Sequence, residues 1–114
     1  MRSEGDAIGR ATDMLEAIAT IEAAIRGHDA ATFPTDRKAR DAVLWNLTVL
    51  GEAVRGIPNE VQAAHPEIPW AKMRAMRNLL VRQYFGSDDQ IVWATATLNV
   101  LPLAAALRRL RDFL

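Results

Sequence analysis

The spacing of apolar side chains constrains this chain most. Along most of its length they recur at three and four residues, the period of one helix face. Ile8, Ala11, Leu15, Ile18 and Ile25 define one such face. Val43, Leu47, Leu50, Val54 and Ile57 define a second, and Met73, Met76, Leu80 and Tyr84 a third. Twenty alanines, and no alternating run of β-branched residues, exclude a fold built on sheets.

Helix breakers divide the pattern. Gly27 is placed to stop the first helix, just after Arg26, whose cation suits a helix C-terminus. The second helix is expected to begin near Thr35 and Asp36 and to close at Pro58. Asn46 borders its apolar face, where a half-buried amide calls for a structural hydrogen bond. A short helical turn over Glu60–Ala64 should end before Pro66. Pro69 fits the first position of a third long helix running from Trp70 to about Tyr84. Ser87-Asp88-Asp89-Gln90 reads as a capping box for the last helix, with the paired acids suiting its dipole. Pro102 then deprives the Leu98 carbonyl of a donor and should kink that helix. The expected fold is all-α: a single domain over residues 1–114, an antiparallel bundle of four to five helices.

Composition narrows the chemistry. The 114 residues include no cysteine, which excludes a disulfide scaffold, a thiolate nucleophile and cysteine-ligated zinc. Two histidines, His28 and His65, give little basis for a metal site; both read as surface residues, and no cofactor is expected. The polar, acidic opening MRSEGDAIGR has no apolar signal core, so a cytoplasmic protein is expected. Ile91–Leu107 is seventeen residues long and carries no charge. A membrane span needs about 20 apolar residues, and this segment also contains Asn99 and Pro102. A helix covered by its own bundle and by a second subunit fits it better than a membrane.

The net charge of zero conceals a separation. Residues 1–30 sum to −3, whereas residues 68–86 hold Lys72, Arg74, Arg77 and Arg82 with no acid, a sum of +4. On a continuous helix Arg74, Arg77, Asn78 and Arg82 can share one side. Such a face suits phosphate, which guanidinium binds through two parallel hydrogen bonds. From charge pattern alone, a solvated face, or one paired with the acidic first helix of this chain or of a partner, is the favoured reading. Trp45, Trp70 and Trp93 read as core or interface anchors.

The stretch IPWAKMRAMRNLLVRQYFGSDDQIVW, residues 68–93, resembles the signature of the HepT-like family of the HEPN superfamily. That signature runs approximately PW-x-x-[IM]-x-x-MRN-x-L-[VI]-H-x-YF. The preceding DRKARDAVLWNLTVLGEAVRGIP is similar to the family's earlier helix, including its Asp-Arg-Lys and Gly-Glu-Ala. The resemblance implies a homodimeric helical bundle and a metal-independent ribonuclease, the toxin of a toxin–antitoxin pair. It implies an RNA site at the dimer interface, built from R-x4-H-x-Y: Arg77 with its polar neighbour Asn78, and Tyr84, with Arg74 and Arg82 adding positive charge for RNA. The implied partner is an MntA-like nucleotidyltransferase antitoxin that adenylylates the tyrosine, here Tyr84.

One position departs from the pattern: Arg82 stands where the family carries histidine. Imidazole passes protons near neutrality because its pKa is about 6.5. Guanidinium, with a pKa above about 12, keeps its proton and cannot act as a base. Arg77 and Arg82 can still neutralise charge on phosphate, but losing a general acid–base typically removes about 10²–10⁴ in rate. The expectation is a ribonuclease toxin with impaired catalysis. The other reading is a non-catalytic module that docks a nucleotidyltransferase, RNA or both.

Overall fold

The computed structural model describes residues 2–78 and 89–114, and these form helices joined by turns, with no strand among them. Helix α1 spans Arg2–Ile25 and α2 spans Arg37–Val54. The two pack together along their length and form the backbone of the bundle. The sequence-based stripe on α1 holds at Ala11, Ile18 and Ile25 and is displaced by one residue at Ile8 and Leu15. Ala7, Ala11, Met14, Ile18, Ile21 and Ile25 are buried, whereas Ile8 is 39% exposed and Leu15 only partly covered. Ala7 thus occupies the buried position that was read for Ile8. On α2 the expected stripe holds: Val43, Leu47, Leu50 and Val54, with Ile57 beyond the helix, are all buried.

The α1–α2 connection is tightly hydrogen-bonded. Gly27 adopts φ +83°, the left-handed conformation that ends a helix without a Cβ penalty. Asp29 Oδ1 then accepts the backbone N–H groups of Ala31 and Thr32, each at 2.9 Å. A 3-10 turn, Phe33–Thr35, drives Phe33 fully into the core against Trp93. Asp36 caps α2 by accepting the Ala39 N–H at 3.1 Å. His28, expected at the surface, bridges this turn: Nδ1 lies 3.0 Å from Thr32 Oγ1 and Nε2 3.0 Å from Asp36 Oδ2. The backbone N–H groups of Thr32 and Ala31 hold the Asp29 carboxyl below its ordinary value of 3.8. The Ala39 N–H, followed by the His28 hydrogen bond, does the same for Asp36.

Helix α3 spans Asn59–Ala64 and α4 spans Trp70–Ala75. Pro69 stands one position outside α4, at the cap rather than the first turn, because its ψ of 72° closes an inverse γ-turn. That turn is sealed by the Trp70 N–H donating to the Ile68 carbonyl at 2.9 Å. The expected unbroken helix from Trp70 is interrupted early: the backbone turns at Met76 and resumes helical form at Arg77–Asn78. The rest of that expected helix, and the Ser87-Asp88 half of the capping box, lie outside the described residues.

Helix α5, Asp89–Ala94, runs into a π-helical turn over Thr95–Val100, and α6 follows at Leu103–Phe113. The Leu101 N–H reaches the Ala96 carbonyl, five residues back, at 3.2 Å. The chain bends by 47° between Asp89–Val100 and Leu103–Phe113, the kink expected at Pro102. No single described helix is long and apolar enough to cross a membrane. Val92, Ala96, Val100, Leu103, Leu107 and Leu110 face the core, and α6 closes the bundle against α1.

Candidate functional site

The site is assembled where α4 meets α2. Trp70 is buried, and its indole Nε1–H donates to the carbonyls of Gln62 and His65, each at 3.0 Å. This fixes the start of α4 to the end of α3. Met73 and Met76 seat the helix on the core. The following turn then crosses α2 at Gly51, a buried glycine in the middle of a helix. A Cβ there would stand 3.0 Å from both Cβ and backbone N of Arg77, and 3.2 Å from the Arg74 carbonyl oxygen. Mid-helix glycine costs about 1 kcal/mol relative to alanine, and here the absent side chain is what admits the Arg77 backbone.

The next residue on α2 completes the arrangement. Arg77 Nη1 lies 2.7 Å from Glu52 Oε1, with the side chains 40% and 47% exposed. A pair this open to water contributes no more than about 1 kcal/mol of stability, so its main effect is orientation. Guanidinium carries five N–H donors; the contact with one carboxylate oxygen leaves donors for a second anion. Arg74 is held in a similar way, donating from Nη1 to Gln62 Oε1 at 3.0 Å. Gln62 in turn donates from Nε2 to the carbonyls of Ile57 and Val54 at 3.0 and 3.3 Å. Among the described residues, neither arginine pairs with the acidic first helix.

Asn78 lines a different surface. It borders a cleft of about 430 Å³ between α4 and the π-helical turn, walled by Lys72, Met76, Thr95, Leu98 and Asn99 among others. Arg74 and Arg77 thus lie against α2 and α3, while Asn78 borders the cleft beyond the Met76 turn. Arg82 and Tyr84 lie outside the described residues. No group of three or more His, Asp or Glu side chains that could hold a metal ion occurs among the described residues.

Gly51 and Glu52 were visible in the sequence only as part of a family resemblance, with no role attached. The physical signal was available: a glycine in the middle of a strong amphipathic helix implies close backbone approach. Asn46 behaves as expected, donating from Nδ2 to the Ala42 carbonyl at 2.8 Å. Trp70 and Trp93 pack on the core, but Trp45 is 62% exposed. The His65 side chain is mostly covered rather than standing at the surface, with the Phe113 ring centroid 4.9 Å away, edge to face.

The described residues thus form a helical bundle with one guanidinium anchored on α2 and a separate, mainly apolar cleft bordered by Asn78. The chain belongs to the HepT-like ribonuclease family: residues 14–110 match the family model "Ribonuclease HepT-like". It is 38% identical over 99 residues to "Probable ribonuclease HepT" of Thermococcus cleftensis, covering 87% of this chain and 90% of that one. It is 34% identical over 88 residues to a candidate RNase of Methanocaldococcus jannaschii, covering 77% and 73%. In the same organism, a protein whose name joins a gamma-glutamylcyclotransferase to a candidate RNase is 29% identical over 99 residues. The match spans 87% of this chain but only 45% of that protein. No solved structure matches.

Proposed function

We propose that this chain is the toxin component of a toxin–antitoxin pair: a HEPN ribonuclease that binds RNA around Arg77 but is impaired in cutting it. The observation that carries this reading is the anchored Arg77 guanidinium, held at 2.7 Å by Glu52 within the motif MRNLLVRQY. Metal-independent RNA cleavage passes the 2′-hydroxyl proton to a base as the 2′-oxygen attacks phosphorus. The bond from phosphorus to the 5′-oxygen breaks, and that oxygen takes up a proton from an acid. Arg77 stabilises the charge that gathers on the phosphoryl oxygens. Arg82, in the histidine position, can add charge but can neither accept nor return the proton at neutral pH.

Membership of a ribonuclease family supports RNA as the ligand. In this reading the chain acts as a homodimer, its RNA site lies at the dimer interface, and a nucleotidyltransferase antitoxin silences it by adenylylating Tyr84. Added nucleotide would bring bulk and negative charge, which oppose binding of RNA phosphate. If Arg82 leaves no turnover at all, the same site serves as a binding module for RNA and the nucleotidyltransferase.

The test has two arms. Arg77→Ala should weaken binding of single-stranded RNA and lower its salt dependence by about one ion. Incubation with the cognate nucleotidyltransferase and ATP should add adenylate mass to the wild type but not to Tyr84→Phe. Unchanged RNA binding in the first arm would remove Arg77 from the site; equal labelling in the second would remove Tyr84.

A further inference from the structure

The cleft between α4 and the π-helical turn is not used by the phosphate chemistry described above. Its composition is distinctive. Its lining includes the buried Met76 and Leu98, which is 72% exposed. With them stand two primary amides, Asn78 and Asn99. Neither side-chain amide makes a hydrogen bond to another described residue. Lys72 stands at the same cleft, with no ion pair among the described residues. The volume, about 430 Å³, falls in the range of small-molecule sites, about 300–1,000 Å³.

The π-helical turn produces this geometry. Widening the helix over Thr95–Val100 keeps Ala96 and Val100 in the core while Leu98 and Asn99 stand exposed in the cleft wall. Asn78, the residue after Arg77, ties the cleft to the phosphate site. Asn78 follows Arg77 directly in the chain, so the anchored guanidinium and an amide of the cleft are carried by the same short segment.

We propose that this cleft is a nucleobase subsite: it takes one unstacked base of the bound RNA. The ring lies against Leu98 and Met76, Asn78 and Asn99 hydrogen-bond the base edge, and Lys72 neutralises a flanking phosphate. Sequence-selective RNA proteins commonly read splayed-out bases on such edges, and a carboxamide offers a donor and an acceptor side by side. The subsite makes the protein selective among bases, and it rests on the reading of the Arg77 region as an RNA site.

The experiment measures binding of A-, C- and U-tract RNAs of about ten nucleotides, at one fixed salt concentration, to the full chain and to Asn99→Leu. The wild type should separate the best tract from the worst by about fivefold or more, and Asn99→Leu should narrow that to below about twofold. Leu98→Ala, at an exposed position whose truncation leaves the core intact, should narrow the ratio as well; circular dichroism checks both folds. RNA binding with the same base ratio in the wild type and both variants would overturn the subsite and leave the RNA reading standing. No binding of any tract would overturn the RNA reading, and the subsite with it.

Discussion

Gly51 allows the same substitution to have opposite effects at two places in this protein. At Gly9, in the exposed stretch of α1, an added Cβ meets nothing within 4 Å. Gly9→Ala should therefore collect the helix-propensity gain, about 1 kcal/mol, with no packing cost. At Gly51 the same gain is opposed by contacts of 3.0 Å to the N and Cβ of Arg77 and 3.2 Å to the Arg74 carbonyl. These are backbone-bound atoms that cannot swing aside, and overpacking of this kind costs about 1–3 kcal/mol. Gly51→Ala should come out between neutral and about 2 kcal/mol less stable, and clearly below Gly9→Ala. At about 4 °C per kcal/mol for a domain of this size, thermal unfolding separates the two variants by at least several degrees. Protein concentration is held equal, because any self-association would raise the apparent Tm. The shifted Arg77 turn should also weaken RNA binding in Gly51→Ala while leaving it unchanged in Gly9→Ala. If Gly51→Ala stabilises as much as Gly9→Ala, the close approach of Arg77 to α2 is wrong, and the anchoring by Glu52 falls with it.

Two further expectations follow from particular contacts. Glu52→Ala should change stability by less than about 1 kcal/mol, since the pair is half open to water. It should leave RNA affinity equal or higher, with one negative charge gone, yet lower the cleavage rate in an Arg82→His background, a split that a purely structural role would not give. The Asp36 carboxyl, held low by the Ala39 N–H and by His28, stabilises the fold above its ordinary value of 3.8 and loses that contribution as the pH falls through its lowered pKa. Acid unfolding of Asp36→Asn should accordingly show a shallower loss of stability below about pH 4 than the wild type; identical curves would count against the cap.

Much of the fold was legible because the helix boundaries rest on local chemistry. Gly27, Asp36 and Pro102 act through the backbone of their own segment, and each ends, caps or bends a helix where expected; Pro58, expected to close α2, instead precedes α3, since α2 has already ended at Val54. What failed depended on contacts distant in sequence. On α1 the expected Ala11, Ile18 and Ile25 are buried, but Ala7 and Met14 take the core positions read for Ile8 and Leu15, a one-residue choice that only the packing decides. His28 read as a surface residue because its partner Asp36 lies eight residues away, across a turn whose shape is set by Phe33 entering the core. The cationic face divided for a similar reason. Arg77 is drawn to Glu52 on α2 and Arg74 to Gln62 on α3, while Asn78 borders the cleft. Arg77 itself was found by motif, but Glu52, twenty-five residues earlier, had no local pattern to mark it as the guanidinium's partner.

The most direct test is cleavage of single-stranded RNA by the wild type, Arg82→His, and Arg82→His combined with Arg77→Ala, all without added metal. Restored imidazole should raise the rate by about 10²–10⁴ over the wild type, leaving 2′,3′-cyclic phosphate ends, and loss of Arg77 should abolish the gain. An Arg82→His protein that binds RNA and does not cut it would contradict the claim that Arg82 is what separates this chain from an active ribonuclease.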